Sequence, residues 1–182
     1  MALVSSSEVK IGSSATNFEL LNTVNGQQAS LSHLKGENGT AIFFICNHCP
    51  FVIHVKDELA QIALDYSDRG ISFIAISSNN IETHPQDGPE FMKAFGEQLG
   101  FPYLFDETQA VAKAYHAVCT PDLYLFDAEL KLSYHGQLDD SRPGNDLPVN
   151  GSDFRNSLNC LQDVKENSAI QKPSIGCSIK WK

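Results

Sequence analysis

The chain predicts an α/β fold, with a mixed central sheet covered by helices, on three observations. Thr40 to Ile45 (TAIFFI) and Ile71 to Ile76 (ISFIAI) are short, nearly continuous apolar runs, the pattern of strands buried on both faces of a parallel sheet. Between them Val52, Val55, Leu59, Ile62, Ala63 and Tyr66 recur at helical spacing, with Gly70 placed as a C′ residue, which makes one right-handed βαβ crossover. Leu123 to Phe126 and Lys131 to His135 flank Asp127-Ala128-Glu129-Leu130 and read as an antiparallel hairpin, so the sheet is mixed.

The other elements follow in order. Phe18 to Leu21 and Gln28 to Leu31, joined by a turn at Asn25-Gly26, predict an N-terminal β-hairpin. Pro89 starts a second helix, with Phe91, Met92, Phe95 and Leu99 on its inward face and Gly100 ending it. Asp106 to His116 predicts a third, shorter helix carrying Val111, Ala112 and Tyr115 inward. Residues 139–150 (DDSRPGNDLPVN) form a polar, Pro- and Gly-rich loop, read as charged and solvated. Asp139, Asp140 and Asp146 lack the alternating ligand spacing of a calcium loop. A last helix from about Gly151 turns Phe154, Leu158, Leu161 and Val164 inward, and a flexible C-terminal tail follows from Lys165. The expected division is one domain over 1–164 and a tail over 165–182.

Composition narrows the function. The 182 residues are 42% hydrophobic and 19% charged, enough for one globular core and unlike a disordered or fibrous chain. Lys plus Arg is 13 against Asp plus Glu 22, a net charge of −9 with no basic block, so nucleic acid is not an expected partner. No window approaches the roughly 20 apolar residues of a membrane span, and MALVSSSEVK has no basic n-region. A cytoplasmic, reducing setting is the expectation, in which the five cysteines are reactive or metal-binding rather than a disulfide framework.

Cys46-Asn47-His48-Cys49 lies where the first buried strand ends and the long helix begins. Unsatisfied N–H groups and the helix dipole favour a thiolate there. Two intervening residues let the second sulfur close a small disulfide, and His48 adds a charge or hydrogen bond that favours the thiolate. One thiol exposed and one shielded is the arrangement that thiol–disulfide exchange uses. The alternatives are buried thiols or half of a zinc site, which lacks a second ligand pair here. Cys119-Thr120-Pro121 stands directly before a strand, where a proline belongs at the first position or in a cis turn. If cis, it leaves the Thr120 backbone open to an extended substrate segment. Cys160, between Leu158 and Leu161, reads as core, His54 as surface, and His84, His116 and His135 as scattered. Cys177 is open between a resolving thiol, an exposed thiol and a buried anchor.

This order of elements, the C-x-x-C at a strand-to-helix junction and the later Thr-Pro resemble the thioredoxin fold. GSSATNFELLNTVNGQQASLSHLKG and GFPYLFDETQAVAKAYHAVCTPDLYLFDAELKL are similar to its redoxin, or peroxiredoxin-like, branch, and GCSIKW and DDSRPGN to a bacterial subgroup of it. The resemblance implies a thioredoxin-like domain with a hairpin extension, acting as a thiol–disulfide oxidoreductase. It makes Cys46 the attacking thiol, Cys49 the resolving one and Pro121 the cis-proline facing them, with His48, Thr120 and Cys119 beside the pair.

The implied partners are a protein or small-molecule disulfide, or a peroxide, and a reductant. No bound cofactor is implied. Ile45 stands where thioredoxins carry Trp, and Thr40 where they carry a buried acid, so dithiol chemistry must use another base or run more slowly. His48 before the second cysteine resembles disulfide isomerases and oxidases and implies a less reducing couple. One alternative is a peroxidase: Cys46-Asn47-His48-Cys49-Pro50 overlays the Thr-x-x-Cys-Pro of peroxiredoxins, with Cys49 peroxidatic. The motif hydroxyl is missing, and Arg142 is the candidate for the absent arginine. The others are a copper or zinc carrier using Cys46, Cys49 and Cys119 or His48, and a redox-silent binding domain.

Overall fold

The computed structural model describes residues 3–165, 167 and 170–182. Of the segments read above, residues 1–2 at the N-terminus and 166, 168 and 169 of the expected tail lie outside them. β4 (Gly39–Phe44) is central to a seven-stranded sheet. It pairs in parallel with β5 (Ile71–Ser77) and antiparallel with β8 (Asp122–Asp127), so that Phe43 lies between Ala75 and Leu123. β6 (Tyr103–Phe105) continues the parallel part beyond β5. The hairpin of β2 (Glu19–Asn22) and β3 (Gln27–Ser30) extends that side, and β9 (Leu132–Gly136) closes the other.

Period-two alternation along β4 splits the core in two. Ala41 and Phe43 pack with α2 (Pro50–Tyr66), α3 (Pro89–Leu99) and α5 (Ser152–Gln162). Ile42 and Phe44 pack on the opposite face with α1 (Leu31–Leu34) and α4 (Ala110–Tyr115). Phe43 is fully buried and meets Phe154 edge-on at 5.3 Å, a contact that ties β4 to α5. The crossover β4–α2–β5 matches the reading from sequence. Val52, Val55, Leu59, Ile62, Ala63 and Tyr66 are all buried, and Gly70 takes φ +71°, which a side chain resists. Among the described residues no helix is long and apolar enough to cross a membrane.

Several expectations change. α4 begins only at Ala110, because the buried Asp106 carboxylate accepts from the Ala112 N–H at 3.0 Å and the Ser78 hydroxyl at 2.8 Å, which holds 106–109 as a turn. Phe91 faces solvent at 52% exposure, while Met92, Gly96 and Leu99 form the inward stripe. α5 ends at Gln162, leaving Val164 94% exposed at φ +53°. Cys160 on α5 is half-buried rather than core. The 139–150 loop is not uniformly solvated: Asp139 is buried and accepts from the Ser141, Asn150 and Gly151 N–H groups. These bonds outweigh burial and hold its carboxyl below the usual range.

The largest difference is at the C-terminus, which folds against the domain as a strand. β10 (Ile175–Ser178) is the middle strand of a second sheet, between β1 (Leu3–Ser5) and β7 (Cys119–Thr120), antiparallel to both. Leu3 pairs with Cys177, and Cys177 with Thr120. Beyond β10, the Ile179 N–H reaches the Val118 carbonyl at 2.9 Å, and the Lys180 N–H and carbonyl bond Asn79 and Asn80. IGCS has no strand-like pattern of its own; its partner edges impose the conformation.

Candidate functional site

The site lies at the C-terminal end of β4, where the chain turns into α2. Cys49 is the N-cap of α2 and Pro50 its first residue, a position that needs no N–H, so proline starts the helix without cost. The Cys49 carbonyl accepts from the Val52 and Ile53 N–H groups at 3.0 and 2.9 Å. Cys46 and Cys49, with 1% and 0% exposure, are both covered, whereas one exposed thiol was expected.

Thr120, joined to Pro121 by a cis peptide bond, lies over the pair. Its carbonyl oxygen lies 3.2 Å from Cys49 Sγ and its Oγ1 3.5 Å from Cys46 Sγ. The Thr120 backbone is not open to a substrate segment, because β10 pairs with it. That pairing brings Cys177 Sγ to 2.8 Å from Cys49 Sγ. Gly176 makes the approach possible, since a Cβ there would collide with the Thr120 carbonyl.

His48 is held from the other side. Its Nδ1 is 2.6 Å from Asp87 Oδ2 and 3.9 Å from Cys46 Sγ, and its ring stacks on His84 with centroids 5.0 Å apart. Asp87 is fully buried and also accepts from the Asn47 N–H and Asn79 Nδ2, each at 2.8 Å. It is the acidic group beside the pair. Thr40, where an acid would stand in a thioredoxin, instead accepts the Gly36 N–H at 3.1 Å.

These neighbours separate the thiols. The Cys46 thiol holds Cys49 down to about 5, with Cys177, Thr120 and the Val52 N–H adding to it against the opposing effect of burial. Cys46 is pushed well up by its hydrogen bond to Cys49, by burial and by the Asp87 carboxylate. Burial also raises Cys177, to about 12, and Cys119, whose thiol is raised further by Asp122. The reduced site therefore holds its charge on Cys49, at the helix N-terminus, with protonated sulfurs around it.

Cys46 Sγ, His48 Nδ1 and an Asp87 oxygen lie within 4.8 Å of one another, a possible metal-ligand set that includes neither Cys49 nor Cys119. Nδ1 and Oδ2 at 2.6 Å stand closer than two ligands of a tetrahedral zinc, roughly 3.3 Å from bond lengths near 2.05 Å. The cluster as folded is a hydrogen bond, and it would have to open to take a metal.

The AhpC/TSA family matches residues 11–135. The chain belongs to that family. An uncharacterized conserved protein from Geobacillus kaustophilus is 53% identical, with a TM-score of 0.97 over 100% of this chain and 97% of its own. A hypothetical protein from Sinorhizobium meliloti is 40% identical, with a TM-score of 0.94 over 98% of each chain. The thioredoxin domain of a thiol-disulfide oxidoreductase from Bacteroides vulgatus, 19% identical, covers 81% of this chain and 98% of its own with a TM-score of 0.61, a likeness of fold. No curated protein matches.

The thioredoxin-like fold and the redoxin, peroxiredoxin-like branch expected from the motifs are thus borne out, and the family is one of oxidoreductases. Within this family frame, the structure brings together Cys46, His48, Cys49, Thr120 and Pro121, with Cys119 next along β7. Arg142 does not join them. Its guanidinium donates to the Asp139 and Ser141 carbonyls at 2.7 and 2.6 Å and to Gln137 Oε1, which fixes the loop. Asp87, Asn79 and Gly176 were missed from sequence. Asp87 sits in His84-Pro85-Gln86-Asp87-Gly88-Pro89, where the residues signal only a turn.

Proposed function

We propose that the chain is a thiol–disulfide oxidoreductase with Cys46 and Cys49 as its couple, acting on a protein or small-molecule disulfide. The observation that carries the reading is the placement of Cys49 as the N-cap of α2, with Cys46 beside it and Thr120 over both sulfurs, a setting that favours the thiolate on Cys49. The polarity reverses the roles that the resemblance implies. Cys49 attacks a sulfur of the substrate disulfide and expels the other as a thiol, and Cys46 then attacks Cys49 of the mixed disulfide. Thr120 fixes both sulfurs, and Asp87 with His48 is the proton-accepting group for Cys46. Cys119 packs beside the pair. The couple is less reducing than thioredoxin's, because a stabilised thiolate favours the reduced form; a potential at or below thioredoxin's overturns that part.

The same observation favours a second reading. Cys49 overlays the peroxidatic position of the family's motif and carries the lowered pKa. Reaction with a hydroperoxide gives a sulfenic acid on Cys49 and an alcohol, and Cys46 then closes a disulfide with loss of water. Disulfide reduction and peroxide consumption, measured on wild type, Cys46→Ser and Cys49→Ser, separate the two. Exchange predicts disulfide reduction abolished in Cys49→Ser and turnover impaired in Cys46→Ser, with a mixed disulfide formed in Cys46→Ser and none in Cys49→Ser. A mixed disulfide accumulating in Cys49→Ser instead restores Cys46 as the attacking thiol. Wild type that consumes peroxide but reduces no disulfide transfers the assignment to the peroxidase reading.

A further inference from the structure

We propose that Cys177 is a third redox thiol, presented to Cys49 by β10, and that it resolves the Cys49 mixed disulfide by forming a transient Cys49–Cys177 disulfide. The inference rests on the exchange reading above and adds a residue and a step to it.

Three observations carry it. The Cys49 and Cys177 sulfurs are 2.8 Å apart, inside the contact distance of two unbonded sulfurs and less than about 1 Å from bonding distance. β10 delivers Cys177 by pairing with Thr120, as an extended substrate strand would on the edge beside a cis-proline. The chain thus presents its own cysteine where a substrate's is expected. Gly176 and the Asn79, Asn80 and Gln109 bonds to residues 180 and 182 hold the strand in that place.

The chemistry closes. The Cys49 thiolate attacks a disulfide R–S–S–R′ and releases R′–SH after protonation. The Cys177 sulfur then attacks Cys49, its proton going to the departing R–S⁻, which leaves Cys49–S–S–Cys177 and R–SH. Cys46 attacks Cys49 in turn, passing its proton to the Cys177 sulfur, and the disulfide moves to Cys46–Cys49. The substrate gains two electrons from the protein sulfurs; R–S⁻ takes its proton from the thiols, with Cys46 replacing the one Cys177 gives up, and R′–S⁻ takes its proton from solvent. The reduced site keeps Cys177 protonated through burial, the hydrogen bond to Cys49 and its negative charge; the last two vanish once Cys49 is disulfide-bonded. Cys177 therefore becomes more acidic at the step that uses it.

The test uses the full chain, reduced and then treated with one equivalent of an aromatic disulfide whose thiolate is coloured. Products are mapped by peptide mass spectrometry. In Cys46→Ser the proposal expects both halves of the reagent to be released and a Cys49–Cys177 disulfide to be found. In Cys46→Ser/Cys177→Ser one half stays bound to Cys49. Retention of that half in Cys46→Ser, or its release with a disulfide to Cys119, overturns the Cys177 step. If wild type retains it too, the exchange reading fails as well. If wild type closes Cys46–Cys49 while Cys46→Ser does not, only the Cys177 step fails. Cys46→Ser/Cys177→Ala, checked by circular dichroism, repeats the double-variant result without a hydroxyl in place of the Cys177 thiol.

Discussion

Removing the Cys46 sulfur tests where the charge of the site lies. In Cys46→Ala the hydrogen bond that does most to lower Cys49 is gone, and the Cys177, Thr120 and Val52 donors stay. A hydrogen bond to a charged group contributes about 1.5–3 kcal/mol, and one pKa unit is about 1.4 kcal/mol, so Cys49 should rise by roughly one to two units from about 5. At pH 6 the wild-type thiol is about nine-tenths ionised, and the variant's about one-half or less. Ultraviolet thiolate absorbance against pH measures this, with alkylation and peptide mapping assigning the sulfur. Stability carries the same signature. Cys49 is depressed below its ordinary 9.0, so its charge stabilises the fold fully above pH 9 and progressively less as pH falls through about 5. In Cys46→Ala that loss is smaller and is complete at higher pH. Cys177, raised to about 12, acts oppositely: its contribution is complete below pH 9 and is lost as pH rises through about 12. A Cys49 midpoint that does not move in Cys46→Ala, or a wild-type thiolate mapping to Cys46, refutes the reasoning.

Two other substitutions test the walls of the site. Asp87→Asn removes the carboxylate that pushes Cys46 up and holds His48, Asn47 and Asn79. It should lower the Cys46 pKa and cost about 1–3 kcal/mol, or roughly 2–12 °C in melting temperature, read by thiol titration and calorimetry; an unchanged Cys46 speaks against Asp87 as its electrostatic neighbour. Gly176→Ala puts a methyl group into the Thr120 carbonyl and should lift β10 at a cost of about 1–3 kcal/mol. Alkylation of Cys177 should then quicken in a reduced protein that still folds, whereas unchanged protection of Cys177 means that β10 does not depend on this contact.

Much of the scaffold is visible in the residues because each element carries its own period. TAIFFI and ISFIAI announce buried strands, the stripe from Val52 to Tyr66 announces α2, and both glycine helix ends, Gly70 and Gly100, take the left-handed conformation. Errors fall where a local pattern yields to a distant partner. Phe91 fits a helical stripe, yet the rotation of α3 on Tyr103 and Val24 turns it to solvent. Asp139 reads as a solvated charge, yet loop N–H groups converge on it.

The candidate site divides in the same way. The sequence by itself determined that a C-x-x-C stands at a strand-to-helix junction with Thr-Pro in reach, since neighbours in the chain and one crossover suffice to place them. Which sulfur holds the charge, what acid stands beside the pair and where the C-terminus goes were decided only by tertiary structure. Asp87 comes from 38 residues beyond Cys49 and Cys177 from 128 residues beyond it, and no local period links such separations. The physical reason lies in the energetics of the site: a thiol's ionisation depends on donors and carboxylates within a few ångströms, and those contacts exist only once β10 has paired with Thr120 and Asp87 has closed over His48.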